Sequence, residues 1–99
     1  MQNRQKDEIV RDILTSANGG ATISRIMFRA YVSHGQAKGY LGELIEKDLI
    51  ECDVFVREYR TTSKGIEYLN ATERMSEMLQ LDIRRAVSNK SKELQTFVF

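Results

Sequence analysis

The sequence predicts a mainly α protein with one small β-hairpin, and three patterns predict it. Apolar residues recur every three or four positions in three short stretches of the first half, each bounded by a capping or stopping residue. Two short stretches rich in β-formers follow, at 49–53 and 57–61. A proline-free segment from 63 to 90 then keeps an approximate seven-residue apolar repeat. Ninety-nine residues, 41% hydrophobic and 29% charged, suffice for one modest core with one additional element.

The first helix is read over 5–17, where Ile9, Val10, Ile13, Leu14 and Ala17 form one stripe and Asn18-Gly19-Gly20 stops it. Thr22 has the hydroxyl an N-cap needs, and the helix after it sets Ile23, Ile26, Met27 and Ala30 on one face. Arg25 and Arg29, four apart, share another face. Ser33 caps the third helix, whose core stripe is Ala37, Leu41, Leu44 and Ile45. The hairpin comes next, with Cys52 mid-strand as a small core residue. Phe55 and Val56 at its tip are expected to fold back onto the core; exposed instead, they would point to a protein contact and count against DNA binding. Thr62 caps the last helix. Its seam of Ile66, Leu69, Met75, Met78, Leu79, Ile83 and Ala86 is made irregular by Thr72, Ser76 and Asp82. Three short helices and a hairpin offer little surface to cover such a stripe, so a second copy of the chain is expected to cover it.

This order, three short helices and then a hairpin, is that of a winged helix-turn-helix, here with a long C-terminal dimerisation helix. The expected organisation is a winged-helix DNA-binding domain over 1–62, a dimerisation helix over 63–90, and a tail over 91–99. The tail ends in Phe97, Val98 and Phe99, which either cover the partner or fray.

Charge narrows the function classes. The formal net charge is only +1, but it is segregated in blocks. From 13 to 42 there is no Asp or Glu, while Arg25, Arg29 and Lys38 give +3. Residues 43–53 carry −4, and 54–65 return to +2 through Arg57, Arg60 and Lys64 against Glu58. One histidine and one cysteine do not furnish a conventional metal site within one chain. No nucleophile–base pair, phosphate loop or nucleotide fingerprint is present, so no enzyme, cofactor or small-molecule ligand is expected. A single cysteine, no apolar run near the ~20 residues of a membrane span and no signal-peptide core predict a soluble cytoplasmic chain with no membrane partner.

The third helix holds the most telling feature. Each glycine in a helix interior costs about 1 kcal/mol against alanine, yet this helix carries Gly35, Gly39 and Gly42. At 100° per residue its core stripe centres between Ala37 and Leu41, so all three glycines fall on the opposite, outward face. In a winged helix that face enters the major groove, N-terminal end first. Glycine there permits close backbone approach but supplies no group that reads a base edge. The contact candidates are Ser33, His34, Gln36, Lys38 and Tyr40, of which Gln36 suits bidentate adenine recognition. Arg25 and Arg29 on one side, and Arg57, Arg60 and Lys64 on the other, are placed to meet phosphates. Glu43 and Glu46 are expected to tilt away from phosphate. Two readings compete with this docking: that exposed glycines are tolerated drift, and that the glycine face packs against another polypeptide.

The run RIMFRAYVSHGQAKGYLGELIEKDLIE, followed by YRTTSKGIEYL, resembles the archaeal winged-helix family of small DNA-binding proteins and transcriptional regulators. The likeness rests on Arg25, Ile26 and Met27 before the recognition helix, and on Tyr40, Leu41, Leu44, Leu49 and Ile50 packing around it. Thr62, Lys64 and Gly65 in the turn that opens the last helix complete it. It spans residues 8–80. The resemblance implies a homodimer, joined through an antiparallel coiled coil of the last helix, that binds double-stranded DNA. The expected function is duplex DNA binding of low to moderate sequence specificity, as a transcriptional regulator or minor chromatin protein. The alternative is a winged-helix protein–protein interaction module.

Overall fold

The computed structural model describes residues 4–98 of the chain, with side chains described over 4–80. In chain order the elements are α1 (Lys6–Ser16), α2 (Ile23–Ala30), α3 (His34–Glu46), β1 (Ile50–Asp53), β2 (Glu58–Thr61) and α4 (Ser63–Val98). The backbone divides into two compact units, Met1–Leu69 and Asn70–Phe99.

In the first unit, helical periodicity translates directly into burial. Val10, Ile13, Leu14 and Ala17 of the first segment, Ile26 and Ala30 of α2, and Ala37, Leu41 and Leu44 of α3 join Ala21, Val32, Leu49 and Ile50 in one core. Ile9, Ile23, Met27, Tyr40, Tyr59, Tyr68 and Leu69 pack half-buried around it. Ile45 departs from this pattern. It lies one residue off the centre of the α3 stripe and is 38% exposed, so it is not the core residue its spacing suggests.

The helix boundaries are set by side-chain capping. The Thr22 hydroxyl accepts a hydrogen bond from Arg25 N–H at 3.3 Å, and α2 ends at Tyr31 in the left-handed region, φ 55°. Thr62 Oγ1 accepts from Gly65 N–H at 3.0 Å and donates to Asp48 O at 2.6 Å, tying the start of α4 to the end of α3.

β1 and β2 pair antiparallel, Ile50 opposite Thr61 and Asp53 opposite Glu58. The hairpin is anchored on its β2 side. Ala21 and Tyr59 exchange backbone hydrogen bonds at 2.9 and 2.8 Å, an added bridge that the sequence reading did not anticipate. Thr61, buried, donates its N–H to Ala17 O at 3.1 Å and its hydroxyl to Leu14 O at 2.6 Å. Two glycines are required by this arrangement. Gly20 turns the chain into the bridge at φ 103°, a region that side chains rarely adopt. At Gly65 a Cβ would run into Leu49 O and the Thr61 methyl, so α4 starts close against the strand.

The outer half of the hairpin is open to solvent. Cys52 is exposed rather than a core residue, because the β1 positions after Ile50 have no element packed over them. Phe55 and Val56 do not fold back onto the core. They are 94% and 57% exposed, with Val54 at 71%.

α4 continues as helix past position 90 to Val98. In the second unit Met75, Met78 and Leu79 are exposed apolar side chains. The Ile83 and Ala86 side chains of the expected seam, and those of Phe97, Val98 and Phe99, lie outside the described residues.

Candidate nucleic-acid interface

The exposed face of α3 begins at a capping box. Ser33 Oγ accepts from Gln36 N–H at 3.2 Å, and Gln36 Oε1 accepts from Ser33 N–H at 3.0 Å. Two of the expected contact residues are thus tied to one another. With Oε1 accepting in the cap, Gln36 keeps its amide NH₂ and the second lone pair of Oε1, but its side chain is oriented by the cap rather than by a base edge.

Gly35, Gly39 and Gly42 are exposed, and a Cβ at any of the three would meet no heavy atom within 4 Å. Nothing inside the first unit excludes alanine from these positions. Beside Gly39 lies a shallow hollow of about 320 Å³ lined by Lys6, Gln36, Tyr40 and Glu43. His34 and Lys38 are exposed on the same helix, and Tyr40 is half-buried.

The sequence-predicted cations divide into two sets. Arg25, Arg29, Lys38, Arg57 and Arg60 are exposed, and none forms an ion pair among the described residues. Arg60 stands opposite Glu51 in the ladder without their charged groups coming into ion-pair contact. Lys64 is instead engaged. Its ammonium donates to Lys47 O at 3.0 Å, satisfying a carbonyl at the end of α3.

The acidic end of α3 is less repulsive than its sequence suggests. Glu43 pairs with Lys6 of α1 at 2.8 Å and lies 3.8 Å from Lys47. The hydrogen bond from Lys6 holds the Glu43 carboxyl below its ordinary value, and the same bond raises Lys6 above its own. A partner 37 positions away leaves no local signal in the sequence.

Two exposed aromatics escaped the sequence reading. Phe28 and Tyr31 are 80% and 84% exposed at the C-terminal end of α2, between and beyond Arg25 and Arg29. The alternation of arginine and aromatic along RIMFRAY was the signal available. Arg4 fixes this end of the helix by donating to the carbonyls of Ala30 and Tyr31 while pairing with Asp12 at 2.7 Å.

Among the described residues no group of three or more His, Cys, Asp or Glu side chains is gathered to hold a metal ion, and no helix is long and apolar enough to cross a membrane. No curated protein matches the chain in sequence. Among solved structures, it is similar to the crystal structure of Sso10a-2, a DNA-binding protein from Sulfolobus solfataricus. That chain is 24% identical, the match covers 92% of this chain and 96% of that one, and the TM-score is 0.69. The likeness is one of fold and agrees with the element order derived above. The model of the winged helix-turn-helix family matches residues 3–80, most of the chain and every element from α1 into α4, and the chain belongs to that family.

Proposed function

We propose that this chain binds duplex DNA through the glycine face of α3, with low to moderate sequence specificity, as a transcriptional regulator or minor chromatin protein. One observation carries the reading. Three solvent-facing glycines with open space around them are retained in a helix that alanine would stabilise, and five of the predicted contact cations carry no ion pair among the described residues. A bare helix face allows the backbone to approach the groove closely, while Arg25, Arg29, Lys38, Arg57 and Arg60 neutralise phosphates. Ser33, His34, Gln36 and Tyr40 contribute few base-reading groups, which accounts for the low specificity. Lys64 serves here chiefly as a cap on α3. Sso10a-2, similar in fold, is described as DNA-binding, in line with this reading.

The protein acts as a homodimer in the same reading. Met75, Met78 and Leu79 are exposed in the single chain. In the sequence they belong to one apolar repeat with Leu69, Ile83 and Ala86, the residues expected to pair in an antiparallel coiled coil with a second copy. Two weakly positive faces on one particle bind DNA more strongly than one.

A second reading, a module that binds protein without DNA, is favoured by the exposed apolar tip of the hairpin. The two are separated by measuring affinity for a random-sequence duplex by fluorescence anisotropy across a salt series. If all five unpaired cations meet phosphates, log K falls with log salt at a slope of about −4 to −5 per DNA-binding domain. Lys38→Ala and Arg60→Ala each reduce that slope by about one. Absence of binding at low salt overturns the DNA reading and leaves the protein-binding module.

A further inference from the structure

The hairpin tip combines features that a solvated turn does not need. Val54, Phe55 and Val56 are consecutive and exposed, and Phe55, at 94%, is the most exposed of the large apolar side chains described. The turn that presents them is rigid. Asp53 Oδ1 accepts from Phe55 N–H at 3.0 Å and from Val56 N–H at 3.4 Å, so one oxygen of its carboxylate holds the turn. Arg57 closes the loop in the left-handed region, at φ 54°, without being glycine. Such strain persists only where the surroundings hold it, and it concentrates at functional positions. Behind the tip, the Ala21–Tyr59 bridge and the two Thr61 hydrogen bonds fix β2 to the core. A protruding ring is thus held outward on a stiff support.

We infer that Phe55 is an apolar wedge that enters the DNA minor groove and inserts between stacked base pairs, kinking the duplex. This inference rests on the proposed DNA binding. Val54 and Val56 on either side line the opened step, while Arg57 at the tip and Arg60, beside Phe55 and Val54 in a shallow hollow, meet the flanking phosphates. The carboxylates nearby are Glu51, which faces Arg60 across the ladder, Asp53, which is engaged in the turn, and Glu58, which is half-buried. The outermost four residues, 54–57, carry one positive charge and no negative one, and the three carboxylates stand behind them with their charges kept. Minor-groove proteins use isolated apolar side chains in this way, separating base steps to bend the DNA. Because pyrimidine–purine steps open most easily and A-tracts resist, the wedge confers a preference for flexible steps on an interface that reads few bases.

The test uses the full chain and two duplexes of equal length, one with 2-aminopurine at a central TA step and one built on an A-tract. Wild type is expected to raise 2-aminopurine fluorescence on binding, to bend the end-labelled TA duplex by FRET, and to favour it over the A-tract. Phe55→Ala is expected to abolish the fluorescence rise and the bend and to lose on the order of tenfold in affinity for the TA duplex. Its salt slope should be unchanged. Because Phe55 packs on nothing, the variant keeps its melting temperature, which circular dichroism checks. Salt-dependent binding with no 2-aminopurine response overturns the wedge and leaves the DNA reading intact. No binding to either duplex at low salt removes the DNA reading and the wedge together. A fall in oligomer size on Phe55→Ala by sedimentation also overturns it, by assigning the tip to a protein contact.

Discussion

Replacing Gly39 and Gly42 by alanine should move stability and DNA affinity in opposite directions. Both sit in the interior of α3, and a Cβ at either position meets nothing within 4 Å, so no steric cost opposes the gain in helix propensity. That gain is about 1 kcal/mol per site, because glycine loses more backbone freedom on folding than alanine does. In a domain of this size 1 kcal/mol moves the melting temperature by roughly 4–8 °C, so the double variant should melt roughly 8–16 °C higher. Protein concentration must be held fixed, since an oligomer's melting point depends on it. If the face lies in the major groove as proposed, two added methyls push the backbone away from the bases and lengthen its phosphate contacts. Affinity for a random duplex should therefore fall, on the order of tenfold for a loss of about 1.4 kcal/mol. Thermal melting by circular dichroism and anisotropy at one salt concentration measure both quantities on the same sample. A more stable variant with unchanged DNA affinity would refute the docking role of the face. A less stable variant would refute the premise that nothing inside the protein requires these glycines.

Three further outcomes follow from particular contacts. Gly65→Ala should destabilise by about 1–3 kcal/mol, because its Cβ meets Leu49 O and the Thr61 methyl; chemical denaturation reads this as a lower midpoint at unchanged slope. The Lys6–Glu43 pair should leave a pH signature. Glu43 titrates below its ordinary 4.5, so its contribution is present above that value and lost as pH falls through the lowered one. Lys6 titrates above its ordinary 10.5, so its contribution is complete below that value and lost as pH rises through the raised one. The melting-temperature difference between wild type and Glu43→Gln should accordingly be flat between those limits and shrink on the acid side first. Finally, the proposed homodimer predicts that wild type sediments as a dimer and that Met78→Lys shifts it to monomer while leaving the melting of the first unit intact, because Met78 is exposed in the single chain.

The elements were legible in the sequence where local chemistry dictates them. Thr22, Ser33 and Thr62 each cap the helix that their hydroxyl announces, and the apolar spacing of α1 and α2 names their buried faces almost residue for residue. Periodicity fails where tertiary geometry decides. Ile45 lies at the margin of the α3 stripe, and whether it is covered depends on what packs there. Cys52 and the hairpin tip look apolar enough to be buried, yet a two-stranded ribbon anchored on one side has no second layer to bury them. The Ala21–Tyr59 bridge joins positions 38 apart, and no local propensity encodes it.

For the interface, composition named the residue types better than their roles. The acid-free run from 13 to 42 correctly flagged cations with no partner nearby in sequence, and Arg25, Arg29 and Lys38 remain unpaired among the described side chains. Gln36 and Lys64 had equal claim as contacts, but both close the ends of α3, where unsatisfied backbone groups compete for any polar side chain within reach. Glu43 appeared to oppose phosphate, and Lys6 offsets it from another helix. The glycines gain the most from the structure. On a helical wheel they were merely outward; with no atom within 4 Å they are positions where the fold itself asks for nothing. Three such positions on one face, in a helix that alanine would strengthen, are what the proposed groove contact accounts for, and the alanine variants put that account to the test.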